Sequence, residues 1–261
     1  MFAHQRQVRI LAELRRTGAV RVSDLTKLLG VSDMTIRRDL ELLVADRVAW
    51  KVHGGAVLAG RVAHEPAFEV KSHLEQPAKH AIAAHAARLI NPGAAIALSA
   101  GTTTWSMAEL IVTIPRITVV TNSTTVADAI AALDPAGHVS LILTGGVRTP
   151  SAALVGPVAD RTIATMHVDQ LFLGVHGIDE NAGFTTPNIA EATTDRALIA
   201  SARQIIVVAD SSKWGVVGLA DIAPLSAADI VITDDNLPHD ARRVLREHVT
   251  SLVTVADRES A

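Results

Sequence analysis

The 261-residue chain contains no cysteine. That excludes a disulfide framework and any thiolate-held metal, and it fits the reducing cytoplasm in which the protein is expected to work. No apolar run approaches the roughly 20 residues that a membrane-spanning helix needs. The N-terminus carries charges within its first apolar run and lacks the layout of a secretory leader, so no membrane partner is expected. Nucleotide fingerprints are missing too: there is no GxGxxG and no Walker lysine. No HExxH occurs, and His80 and His85 are five apart, which does not put them on one helix face. Ser151, Ser211 and Ser212 sit in no nucleophile-elbow pattern. No metal and no cofactor are expected. Internal repeats and low-complexity segments are also lacking.

What is present is globular in character: 49% hydrophobic and 20% charged residues, enough for one large domain and one small one. The net charge of -3 hides an asymmetry. Residues 1–61 sum to +5 and residues 62–261 to -8. A small basic head on an acidic body places any polyanionic partner at the head.

Within that head the stretch Val31–Ala56 carries the clearest signal. Ser32 is placed as a helix N-cap, with Val31 before it able to staple onto Ile36. Ile36, Leu40 and Leu43 recur at helical spacing as one inner face. At about 100° per residue, Met34, Arg37 and Arg38 then point outward and Thr35 lies on the flank. An outward methionine beside paired arginines suits a helix laid in the major groove. There an apolar side chain meets a thymine methyl and arginine reaches guanine edges or phosphates. Val48–Val52 followed by His53-Gly54-Gly55 forms a short hairpin wing, from which Lys51 and His53 are expected to reach backbone or minor groove. Asp33, next to the cap, is the candidate for what distinguishes the DNA sequence this helix reads.

Upstream, Gln5–Thr17 is expected to be a helix with an inner stripe of Val8, Leu11 and Leu14, closed by Gly18. Val20–Val22 is extended. Ser23 is expected to cap a second helix with Leu25, Leu28 and Leu29 as its apolar members, ended by Gly30. Helix, strand, helix, tight turn, helix, hairpin in under sixty residues is the winged helix-turn-helix plan. The run from ILAELRRTG through MTIRRDL to VHGGAVL closely resembles the N-terminal signature of DeoR-type bacterial transcriptional regulators.

The expected organisation is a winged head at residues 1–57, a linker at 58–76 interrupted by Pro66 and Pro77, and an α/β domain at 77–261. In the last, Pro77–Ile90 is a helix. Apolar strands follow at Ala94–Leu98, Ile117–Thr121, Val139–Thr144, Leu171–Val175, Ile205–Ala209, Ile230–Thr233 and Leu252–Val255. Helices are expected near Trp105–Val112, Thr124–Leu133, Ala190–Arg203 and His239–His248. Strands that are continuous apolar runs are buried on both faces, so the central sheet should be mainly parallel.

Ligands of such sheets bind beyond the carboxyl ends of the strands. Ser99-Ala100-Gly101-Thr102-Thr103-Thr104 follows the first strand, and a glycine with three hydroxyls at a helix start can cradle an anion. An ordinary capped turn has the same composition. Thr121-Asn122-Ser123, Thr144-Gly145-Gly146 with Arg148, Gly174–Asp179, Glu191 and Asp210-Ser211-Ser212-Lys213 complete a ring of polar strand-end loops. Together they suggest a polar ligand bearing an anion, with Lys213 supplying charge.

The motifs GTTT, VTNS, LTGG, FLGVHGID, GFTT and VVADSSKWG also resemble the effector domain of the DeoR-type regulators, which is similar in fold to ribose-5-phosphate isomerases and coenzyme A transferases. The resemblance implies sensing of a phosphorylated sugar or related metabolite, with Gly101, Thr102, Thr103, Asn122 and Gly145 lining the pocket. It puts Lys213 and Glu191 where the isomerases keep a ligand-binding lysine and a catalytic carboxylate, and Lys79 on a lysine frequent in the family. Ser99, His176 and Ala78 stand where the family often has acidic residues. Ser99 and His176 offer different hydrogen-bond chemistry at the pocket, and missing acids argue against turnover.

The resulting expectation is a DNA-binding regulator, a repressor of carbohydrate metabolism. It would bind a double-stranded operator as a dimer or tetramer, because one recognition helix reads too few bases. The rival is an aldose-phosphate isomerase fused to a DNA-binding head, favoured by Glu191 and Lys213 and opposed by Ser99 and His176. An architectural or oligomer-forming role is a third.

Overall fold

The computed structural model describes residues 3–45, 49–52, 54–58 and 68–256. His53, Val48 and residues 59–67 of the expected linker lie outside them. The chain divides into two compact units, Met1–Glu75 and Gln76–Ala261.

The first unit holds α1 (Ala3–Thr17), β1 (Ala19–Arg21), α2 (Val22–Leu29), α3 (Asp33–Ala45), β2 (Ala49–Val52), β3 (Gly55–Leu58) and α4 (Phe68–Ser72). Strands β2 and β3 form an antiparallel hairpin, and β1 pairs antiparallel with β3 to complete a three-stranded sheet. This is the winged helix-turn-helix arrangement. Its core collects Ile10 and Leu14 from α1, Leu25 and Leu29 from α2, and Ile36, Leu40 and Leu43 from α3. Val31 packs against the same cluster, as a staple should. Gly30 ends α2 at φ 66°, and its N–H bonds to the Thr26 carbonyl at 2.9 Å.

Three local expectations are corrected. On α1 the buried stripe is Ile10 and Leu14, while Val8 is exposed. The stripe continues one turn back to Arg6, whose guanidinium is bound by the buried Asp39 of α3. A charged residue on the inner face made 8-11-14 look the more apolar choice. Ser23 lies inside α2, not at its cap; the capping position is Arg21, with no side-chain bond. Leu28 faces outward, and Val22 takes the inner position.

The second unit begins with α5 (Gln76–Ala87) and continues β4 (Ala95–Leu98), α6 (Thr102–Trp105), α7 (Ala108–Ile111), β5 (Thr118–Thr121), α8 (Thr124–Leu133), β6 (Ser140–Leu143), β7 (Val147–Arg148), β8 (Leu154–Val155) and α9 (Pro157–Ala164). It ends with β9 (Val168–Leu173), β10 (Gly177–Asp179), β11 (Gly183–Thr186), α10 (Ile189–Ser201), β12 (Ala202–Val208), β13 (Ala220–Ala223), β14 (Ile230–Asp234), α11 (His239–His248) and β15 (Ser251–Val255). Seven strands form a wholly parallel sheet in the order β15-β14-β12-β9-β4-β5-β6.

Alternate residues of these strands fill two cores. Leu171, Leu173 and Val207 meet Ile163 of α9, Leu198 of α10 and Leu245 of α11. Phe172, Ile206 and Val208 meet Ile82 of α5, Ile111 of α7 and Ile130 of α8. Helices therefore cover both faces, as a parallel sheet requires. The edge strand β6 departs from the expectation of burial on both faces. Ile142 and Leu143 are exposed there, because a strand with one neighbour gets less cover. The single helix expected over Trp105–Val112 is two turns, α6 and α7, broken at Ser106 and Met107. An antiparallel sheet, β10-β11-β13, and helix α9 had no counterpart in the sequence reading.

Candidate functional site

The first candidate surface is α3 with its wing. Ser32 caps the helix: the Thr35 N–H reaches its Oγ at 3.4 Å and its carbonyl at 3.0 Å. Ser32 Oγ and Thr35 Oγ1 share a 2.9 Å hydrogen bond. Ile36, Leu40 and Leu43 turn inward, whereas Arg37 and Arg38 are exposed and Met34 is 80% exposed. A lone exposed methionine is ordinary on a protein surface; its place between two exposed arginines is what singles out this face. Asp33 accepts a 2.9 Å hydrogen bond from Thr26 Oγ1, which ties α3 to α2 across the turn. Its carboxylate also sits in the first turn, where the helix dipole favours it.

On the wing, Lys51 Nζ is 3.2 Å from Glu41 Oε1, both side chains largely exposed. Such a pair is worth about 1 kcal/mol at most, so Lys51 can exchange it for a phosphate at little cost. On the inner side of α3 the Asp39 carboxylate takes two bonds from Arg6, one of them from Nη2 at 3.1 Å. The hydrogen bond to Asp39 raises the Arg6 pKa above its ordinary value. A cleft of about 470 Å³ in the same unit is lined by Glu13, Asp24 and Glu69 as well as Arg21 and His73, so it offers an anion no net positive charge with histidine neutral.

The second candidate follows from strand order. From β4 the chain adds β5 and β6 on one side, then returns to place β9, β12, β14 and β15 on the other. The direction of winding reverses between β4 and β9, and a crevice opens outside the strand ends at such a reversal. The loops there are Ser99–Thr104 and Gly174–His176. The two loops lie side by side: a Cβ on Gly101 would make ordinary contact with Gly174 Cα at 3.7 Å and a tighter one with Thr104 Oγ1 at 3.2 Å.

Several residues expected to meet ligand act here as struts. Ser99 is fully buried, and its Oγ accepts the Gly174 N–H at 2.9 Å. Asn122 is also buried; its Oδ1 accepts the Ala100 N–H at 2.9 Å and its Nδ2 donates to the Leu154 carbonyl. Thr104 Oγ1 donates to the Ser99 carbonyl at 2.7 Å, which fixes the curl of the GTTT loop. Thr102 and Thr103 are buried on the four-residue α6, too short for a substantial dipole, so any anion contact must come from the loop's N–H groups and hydroxyls. Gly146 approaches β8 so closely that a Cβ would meet the Val155 carbonyl oxygen at 2.6 Å; Gly145 precedes it at φ 74°.

Glu191 opens α10 and is buried. Its Oε1 accepts from Thr149 Oγ1 at 2.6 Å and from Ser151 Oγ; Thr186 Oγ1 lies 3.4 Å from Oε2. Three hydroxyls thus engage this one carboxylate.

The cationic groups converge on Asp210, which the sequence places in a polar strand-end loop without marking it as a ligand residue. Asp210 ends β12 and is 2% exposed. Its Oδ1 accepts from both the N–H and Oγ of Ser212. Burial works against its charge, but Lys213 and Lys79 beside it, with the Ser212 bonds, hold its pKa below the ordinary carboxylate value. Lys79, on α5, is itself buried, and Lys213 is half-buried. His176 is half-buried, with its N–H bonded to the Thr185 carbonyl at 3.2 Å. The signal for Asp210 was available: it is the first polar residue after an apolar strand, three before a lysine.

Comparison with known proteins covers both units of the chain. Residues 6–62 match the family model of the DeoR-like helix-turn-helix domain, and residues 74–235 match that of the DeoR C terminal sensor domain. The uncharacterized HTH-type transcriptional regulator YgbI of Escherichia coli K12 is 37% identical over 97% of this chain and 98% of its own. The HTH-type transcriptional regulator GlpR of Haloferax volcanii is 34% identical, covering 98% of each. The L-fucose operon activator of Haemophilus influenzae is 31% identical, over 92% of this chain and 95% of its own. Among solved structures, ribose 5-phosphate isomerase A of Methanocaldococcus jannaschii is 17% identical, with a TM-score of 0.38 over 52% of this chain and 53% of that one. With both family models matched in order, and with regulators similar along nearly its whole length, the chain belongs to the DeoR family of DNA-binding transcriptional regulators.

Proposed function

We propose that this regulator is a repressor of a carbohydrate-metabolism operon whose operator affinity is set by a phosphorylated sugar or a related metabolite. The observation that carries the reading is the pair of lysines, Lys79 and Lys213, beside Asp210 at the strand ends. A dianion is the ligand that two neighbouring ammonium groups, one buried and one half-buried, favour most. Thr102, Thr103, Gly101, Gly145 and His176 would complete the pocket, with Ser99, Asn122, Gly146 and Glu191 holding its loops in place.

Arg37, Arg38 and Met34 would enter the major groove, with Ser32, Asp33 and Thr35 at the helix start and Lys51 and His53 on the wing. A dimer or tetramer would supply the second recognition helix that a full operator requires. Residues 1–57 would serve as the reading head, 58–76 as linker and 77–261 as sensor, in the cytoplasm where the operator is. A metabolite shifts DNA affinity only if it binds two arrangements of the protein unequally. The test is operator binding by the full chain with and without a panel of sugar phosphates. A shift in affinity supports the reading; indifference to every member of the panel sinks it.

A further inference from the structure

The sensor reading leaves one buried oxygen unexplained. Asp210 Oδ1 is satisfied by Ser212, but Oδ2 is buried and takes no hydrogen bond among the described residues. Buried carboxylate oxygens are almost always bonded, so an orphan asks for a partner that comes from elsewhere. Two ammonium groups are near enough to hold the carboxyl ionised, yet neither donates to Oδ2. A carboxylate that served only as their counter-ion would be expected to bond at least one of them through its free oxygen.

A phosphate drawn to Lys79 and Lys213 brings negative charge close to Asp210. For an anion sensor, a buried carboxylate at that spot is a liability unless the rest of the ligand gives something back. The group that does so is a hydrogen-bond donor without charge, carried a few atoms from the phosphate. A sugar hydroxyl has that chemistry.

We infer that Asp210 is a ligand-binding residue of the sensor, in which Oδ2 accepts a hydrogen bond from a hydroxyl of a polyhydroxylated phosphate. It thereby selects sugar phosphates over inorganic phosphate. The lysines give affinity for the anion; Asp210 makes bare phosphate a poor ligand and supplies the specificity. This rests on the sugar-phosphate reading, and the two can fail separately.

The full chain, its Asp210→Asn variant and its Asp210→Ser variant are titrated calorimetrically. The probes are inorganic phosphate, erythrose 4-phosphate, ribose 5-phosphate, fructose 6-phosphate and glucose 6-phosphate. The wild type is expected to prefer at least one sugar phosphate over inorganic phosphate by about tenfold or more, the scale of one hydrogen bond to a charged group. Both variants are expected to bind inorganic phosphate as well as the wild type or better, and to lose that preference. A purely structural Asp210 would weaken both ligands together and leave the ratio unchanged, which overturns the assignment. Failure of both variants to fold, read by circular dichroism, would make Asp210 a structural counter-ion and overturn it likewise. A wild type that prefers none of the four sugar phosphates overturns the sensor reading and this inference with it.

Discussion

Asp39 and Asp210 are both buried carboxylates, and they are held in opposite ways. Asp39 is closed off by a two-pronged bond to Arg6, while Asp210 keeps an unbonded oxygen beside two lysines. Breaking one partner of the first pair strands a buried charge. Asp39→Leu alone is therefore expected to lower the melting temperature of the head clearly, and adding Arg6→Met to recover much of the loss. Thermal denaturation followed by circular dichroism measures both.

Asp210 makes a pH-dependent contribution whose sign follows from its lowered pKa. Its unfolded value is near 3.8, and the folded value lies lower. The stabilisation is thus fully present above the unfolded value and lost as pH falls through the folded one. Melting temperatures of the wild type and Asp210→Asn should differ by a constant amount above about pH 5 and converge on acidification below it. A difference that instead grew toward acid would contradict the lowered pKa.

At the scale of elements, α3 and its sheet were largely legible in sequence. Helical spacing of Ile36, Leu40 and Leu43 fixes the buried face, and once that face is set Met34, Arg37 and Arg38 have no direction but outward. Arg38→Ala should weaken operator binding for all sequences and reduce the salt slope by about 1 if it meets phosphate. Fluorescence anisotropy across a salt series reads both, and no change in either would remove Arg38 from the interface. The wing depends on Gly55, where a Cβ would lie 2.0 Å from the Val20 carbonyl oxygen. Gly55→Ala must force β1 from β3 and should cost at least about 1–3 kcal/mol, measured by denaturant unfolding. Less legible were α1 and α2. Arg6 on the buried stripe and Ser23 within a helix each have a local preference that tertiary contacts override.

For the molecule as a whole, local pattern revealed all seven parallel strands but not their order. The reversal between β4 and β9 depends on pairings some seventy residues apart, such as Leu98 with Phe172, which no local periodicity encodes. That reversal is what turns scattered polar loops into one crevice. The antiparallel β10-β11-β13 sheet was missed because GID and GFTT are too short and too rich in glycine to show alternation. Polar residues at the strand ends were legible as a group. Their division into struts such as Ser99 and Asn122 and groups beside the lysines was not, since both kinds read as hydroxyl, amide or carboxylate.

On the proposed reading, anion recognition at the lysine-bearing strand ends controls DNA binding at the basic head. Anisotropy of the full chain on the promoter fragment next to its own gene tests it most directly, with the four sugar phosphates added in turn to wild type and to Lys213→Gln. The expected result is salt-dependent binding whose affinity at least one sugar phosphate shifts about tenfold or more, the usual size of coupling between two sites, with the shift lost in the variant. An affinity unmoved by any of them, or moved equally in Lys213→Gln, would contradict it.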